Sequence, residues 1–135
     1  MKLSCTKNLF MIIALFTLSL SQATARDHLI YSVAEDLPMG FDNEVLRKNY
    51  YINMGSQQGL QKGTVLDVFR IISKSNPYNN KKRVNYSVKV GELEVLHTED
   101  SSAITIMKNI ADGKKDPVFD IRAFMIGDKV SVAIK

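Results

Sequence analysis

From Tyr50 onward the apolar residues follow the two-residue period of β-strands. Tyr50 to Met54 is one predicted strand, and Val65 to Ile72 is a longer one, apolar on both faces. Such a run suits a central strand covered on both sides. Val84, Tyr86, Val88 and Val90 alternate with Asn85, Ser87 and Lys89, which predicts a half-exposed strand. Gly91 interrupts it, as at a bulge or corner. Leu93, Val95 and His97 share a face on the continuation. Ala103 to Lys108 is predicted as β, Val118 to Phe124 as a short strand, and Val130 to Ile134 as the closing one. Asn76-Pro77, Asn79-Asn80, Glu99 to Ser102 and Ile126 to Lys129 supply turns between them. Five or six short strands with regular turn signals predict an all-β barrel or sandwich.

Residues 26–48 form a lead-in of a different texture. Leu29, Tyr31 and Val33 alternate over a possible short strand, and Leu37-Pro38-Met39-Gly40 breaks it. Asp42 or Asn43 is placed to cap a single helical turn running to Arg47.

The most informative segment is Tyr50 to Arg70. Gly55, Gly59 and Gly63 recur at a spacing of four, with Leu60 the apolar residue between the last two. Glycine takes positive φ without steric cost, so the spacing predicts a strand, a turn, a buried Leu60, a second turn and a strand, together a structural hairpin. The segment is not a phosphate loop. It lacks the Lys-Ser/Thr ending and joins strands rather than opening a helix.

The N-terminus predicts export. Lys2 and Lys7 precede an apolar run from Leu9 to Leu20, and Ala23-Thr24-Ala25 places small residues where signal peptidase needs them. The run is about twelve residues, short of the roughly 20 that span a bilayer. Cleavage before Arg26 is expected, which makes 1–25 a signal peptide, 26–48 the lead-in and 49–135 a small β domain. Cys5 lies before the apolar run, so lipidation there is not expected, and the sole cysteine leaves with the signal. Loss of Lys2 and Lys7 lowers the formal net charge from +4 to about +2. A periplasmic domain without disulfides, without a transmembrane segment and without a nucleic-acid role is the expectation.

Candidate chemistry is sparse. His97-Thr98-Glu99-Asp100 is the one local cluster of metal-ligand types, and His28 is distant in sequence. Metal sites need three or four convergent ligands, so no metal or other cofactor is expected. Glu92 and Glu94 share a strand face that is expected to meet solvent. With two histidines and no mature cysteine, Ser-His and Cys-His arrangements lack material, and no catalytic residue is assigned. Lys81-Lys82-Arg83, with Tyr78 and Tyr86 nearby, is a basic loop with aromatics. It reads as a solvated hairpin tip or as a contact site for an anionic partner.

Tyr51 to Arg70, then Val88-Lys89-Val90-Gly91-Glu92-Leu93-Glu94-Val95, then Ile126-Gly127-Asp128-Lys129-Val130, in that order, resemble the C-terminal domain of flagellar assembly protein T. The resemblance spans about residues 49–134. It implies an SH3-like β-barrel in a periplasmic protein of the rings around the flagellar basal body. Two further domains precede this one in that family, where this sequence has residues 26–48. The resulting expectation is a non-enzymatic structural or adaptor module that binds a protein of the cell envelope. The alternative is an SH3-type module binding peptidoglycan through Tyr78, Arg83 and Tyr86.

Overall fold

A computed structural model describes residues 26–79, 82–111 and 123–133. The signal segment, Lys81 and most of the strand expected at Val118 to Phe124 lie outside them. Six strands are present among these residues: β1 (Ile30–Glu35), β2 (Lys48–Ile52), β3 (Val65–Ser75), β4 (Arg83–Thr98), β5 (Ala103–Ile110) and β6 (Lys129–Val132). All neighbours are antiparallel, in one sheet of order β1-β2-β5-β4-β3-β6. The protein is therefore all-β, with β1 and β6 as the sheet's edges. No helix among the described residues is long and apolar enough to cross a membrane.

The alternation in the sequence explains the core. Ile30, Tyr50, Ile52, Leu66, Val68, Val90, Leu93 and Val95 all lie at or below 1% exposure. They come from β1 to β4, with Ala103 added by β5, Val130 by β6, and Leu60 and Phe124 by the connections. The lead-in contributes a strand to this sheet, because β1 pairs with β2 from Glu35↔Lys48 down to Ile30↔Ile52. An isolated bridge, Leu29 with Lys129, joins its start to β6. Around that bridge Val130 N–H donates to His28 O at 2.9 Å, and Ile30 N–H donates to Asp128 O at 2.9 Å.

Two expectations are corrected. Residues 42–47 form no helical turn. Asn43 sits at φ 68°, a left-handed conformation that Asn tolerates, and the chain is then irregular up to β2. The Glu44 carboxylate accepts the Met39 and Gly40 amides, which fixes a loop instead.

The glycine segment is not a hairpin either. β2 and β3 are not neighbours in the sheet, so residues 53–64 form an arch between non-adjacent strands. Glycines mark where a chain reverses, but not which strand it then pairs with. Gly91, by contrast, lies within one continuous β4, beside register shifts against both β3 and β5.

Candidate functional site

The arch is pinned to the far ends of β4 and β5. Ser56 N–H donates to Glu99 O at 2.9 Å, and Gln57 N–H to Asp100 O at 3.1 Å. Farther on, Gly63 N–H donates to Val95 O at 2.8 Å, and Val95 N–H to Thr64 O at 3.0 Å. Gly59 and Gly63 adopt φ near 84° and 85°, and Leu60 between them is 2% exposed. Gly55 is extended rather than left-handed, and its role is close approach. A Cβ there would lie 2.3 Å from Glu99 O and 2.7 Å from Asp100 O. All four residues thus serve the packing and turning of the arch.

β3 and β4 run past the rest of the sheet. β6 pairs with β3 only over Leu66 to Phe69, and β5 reaches β4 only from Gly91 onward. Among the described residues, Arg70 to Ser75 and Arg83 to Val88 therefore pair as strands only with each other, as a two-stranded ribbon. On either side of residues 80–81, Asn76 N–H donates to Lys82 O at 2.9 Å and Tyr78 N–H to the Asn76 side-chain oxygen at 3.0 Å. Tyr78 is 97% exposed and Tyr86 52%.

The register distributes the candidate contact residues. Ile72 stands opposite Tyr86, Arg70 opposite Val88 and Lys74 opposite Val84, all on one face. Ile72, Lys74, Tyr86 and Val88 line a shallow depression there of about 260 Å³. Arg83, an odd number of residues from Tyr86, points to the other face, where its Nε donates to Ser73 Oγ at 3.2 Å. Tyr78 and Tyr86 make no ring contact. The structure thus brings Tyr86 together with Ile72 and Val88. It does not assemble Tyr78, Arg83 and Tyr86 into one aromatic groove.

Elsewhere the polar groups are occupied by local partners. His97 Nε2 lies 2.8 Å from Glu99 Oε1 on the surface, and His28 Nδ1 lies 3.2 Å from Asn53 O. Among the described residues no three His, Cys, Asp or Glu side chains converge as metal ligands would. Glu92 shares Lys89 with Asp67, at 2.9 and 2.7 Å. The hydrogen bond to Asp67, and then that to Glu92, raises the Lys89 pKa above its ordinary value.

The residues with the largest structural consequence gave no sequence signal. Arg70 in β3 holds Asp128 with both guanidinium and carboxylate forks engaged, and Asp128 is 4% exposed. That hydrogen bond raises the Arg70 pKa further. Tyr50 is fully buried, its ring tilted 60° to Phe124 at 5.4 Å. Its hydroxyl approaches the Phe124 backbone without completing a hydrogen bond, and burial raises its pKa.

Compared with protein-family models and with curated proteins, the sequence matches none.

Proposed function

We propose that this chain is an exported, non-enzymatic β module that works as a structural or adaptor component of a periplasmic envelope assembly, with flagellar or motility machinery as the leading setting. The observation that carries the reading is the β3–β4 ribbon. Beyond Arg70 it runs past the buried core and presents Lys74, Tyr78, Lys82, Arg83 and Tyr86 to solvent. Lys81, in the same basic run, lies outside the described residues. A cationic segment with exposed tyrosines that extends past the core supports reading it as a contact surface.

The finer fold reading belongs to the same proposal: a small SH3-like barrel. Two features support it. Registers lead from Ala34 to Asn49, Ile106, Glu94 and Val65 across the sheet. The edge beyond, β6, then meets β1 at Leu29 and not at Ala34, which is the stagger that closing a small barrel demands.

The test is made in cells expressing the full chain. Mature protein should begin at Arg26 and fractionate with the periplasm. A photoreactive residue at Tyr78 should cross-link it to a protein. Intact Met1 in the cytoplasm, or no protein adduct at Tyr78, overturns the proposal.

A further inference from the structure

We infer that the β3–β4 ribbon docks on a second copy of this chain, against the loop that joins β1 to β2. The inference rests on reading the ribbon as a contact surface, and it adds the identity of the partner.

The two surfaces are complementary in charge and alike in exposed apolar content. From Phe69 to Val90 the sequence contains no Asp or Glu. Within that span Arg70 is neutralised by Asp128, and Lys89 by Asp67 and Glu92. Lys74, Lys82 and Arg83 make no ion pair among the described residues. On the Lys74 face Val84 and Tyr86 are 41% and 52% exposed, and on the opposite face Ile71 is 42% exposed. The ribbon is therefore cationic, with exposed apolar side chains interleaved among the charges, two of them on the Lys74 face.

The β1–β2 loop is its converse. Asp36, Asp42 and Glu44 stand against a single Arg47. Leu37, Met39, Phe41 and Val45 are 73% to 82% exposed, the largest apolar exposure in the described chain apart from Tyr78. The loop is held in shape nonetheless. Asp36 N–H donates to Arg47 O at 2.9 Å, the Asp36 carboxylate accepts the Arg47 amide at 3.2 Å, and Glu44 binds two amides at the other end. Four large apolar side chains on a fixed acidic loop are costly to leave in water, at about 25 cal/mol for each Å². A cationic apolar ribbon would cover them.

Strand directions set the symmetry. Antiparallel pairing along the sheet makes β1, β5 and β3 run the same way, so the β1–β2 loop and the ribbon tip lie at the same end. Two copies meeting at that end about a two-fold axis satisfy both surfaces twice. The result is a closed dimer and not a filament.

Sedimentation velocity on the purified protein, as the cell processes it, tests this. At about 50 mM salt it should be a dimer at micromolar concentrations, and self-association should weaken roughly tenfold or more by about 500 mM as the exposed charges are screened. Two variants carry the argument: Lys74→Glu with Lys82→Glu and Arg83→Glu on the ribbon, and Asp42→Lys on the loop, which spares the Asp36 and Glu44 carboxylates that hold the loop's shape. Each alone should be monomeric with an unchanged circular dichroism spectrum. Mixed together they should form a heterodimer, because each reversed surface then faces its complement. A misfolded variant could not regain pairing this way. A wild-type protein that stays monomeric at about 100 µM in low salt overturns the inference. So does dimerisation indifferent to both reversals, or a mixture that fails to pair. A monomer that instead floats with phosphatidylglycerol vesicles assigns the ribbon to a membrane surface. A monomer whose Tyr78 cross-links a different acidic protein overturns only the self-pairing and leaves the contact-surface reading standing.

Discussion

Arg70 and Asp128, 58 positions apart in sequence, meet in a fork-to-fork pair: Nε to Oδ1 at 2.9 Å and Nη2 to Oδ2 at 2.7 Å. The same guanidinium donates to Ala123 O at 3.1 Å, and the same carboxylate accepts the Met125 amide at 2.8 Å. One ion pair thus fastens the connection before β6 to the middle of β3. The Arg70 side chain is 18% exposed and that of Asp128 4%, so the carboxylate has almost no water to fall back on if the guanidinium is lost. Asp128→Ala is expected to cost about 3–5 kcal/mol, the usual penalty for orphaning one partner of a buried pair. A double-mutant cycle with Arg70→Ala should show coupling of at least about 1 kcal/mol. Additive losses in thermal unfolding would mean that the pair is not an energetic unit.

The three glycines of the arch should fail in a definite order. At Gly59 and Gly63 a new Cβ meets open space, and the penalty is the left-handed backbone alone, about 1–2 kcal/mol for alanine. At Gly55 the backbone is compatible with any residue, yet a Cβ would be driven into the Glu99 and Asp100 carbonyls. Backbone cannot rotate away as a side chain does, so Gly55→Ala should cost about 3 kcal/mol or more, beyond ordinary overpacking. Leu60→Ala belongs with it, at about 2–5 kcal/mol for a buried leucine. If denaturant unfolding ranks Gly59→Ala above Gly55→Ala, the close approach is not what the position is for.

These positions show what the sequence made legible. Alternation placed β2 to β5 to within a few residues, because a half-buried strand must repeat its apolar residues every second position. The burial of Leu60 followed from a lone leucine between two turns. The pairing of the arch did not follow, because local turn chemistry carries no record of which strand lies alongside. Arg70 fell within a strand read as apolar on both faces, and Asp128 within a turn. Nothing near either points to the other. The ribbon was visible as a basic loop. Its length depended on where β5 and β6 stop pairing, which is a property of other segments.

Alkaline pH should expose Tyr50. Burial, the largest influence, raises the pKa of its phenol above the ordinary 10.0. The folded protein therefore keeps this proton to higher pH than the unfolded chain does. Its contribution is full below about pH 10 and drains away as the pH climbs through the raised folded value. Lys48 and Lys89, raised chiefly by their hydrogen bonds to Glu35 and Asp67, act with the same sign from 10.5 upward. Tyr50→Phe removes a buried hydroxyl that lacks a full partner, so it should leave stability near neutral pH within about 1 kcal/mol or raise it. Between pH 9 and 11 the variant should lose less melting temperature than the wild type. Parallel pH profiles for the two proteins would show that Tyr50 does not titrate on unfolding.

The seam between β1 and β6 decides whether the sheet behaves as a barrel. Asn53 sits at that seam from the β2 side: its side-chain oxygen accepts the Leu29 amide at 2.7 Å and its amide donates to Asp27 O at 3.3 Å. Lys129 adds an ion pair to Asp27 at 2.8 Å. If the seam is closed in solution, the Ile30 and Val130 amides, which bond across it, should exchange with deuterium as slowly as those of β4 and β5. An open sheet would leave both to exchange at the rate of a fraying edge. Asn53→Ala separates the two cases further. It removes a tie that belongs to the seam and spares the β2 pairing with β5, which runs only from Asn49 to Ile52. In a barrel the variant should speed exchange at Ile30 and Val130 by roughly tenfold, about 1.4 kcal/mol, while leaving the Tyr50 and Thr105 amides unchanged. Uniform acceleration across all four amides would mean that Asn53 supports the whole sheet and that no separate seam exists.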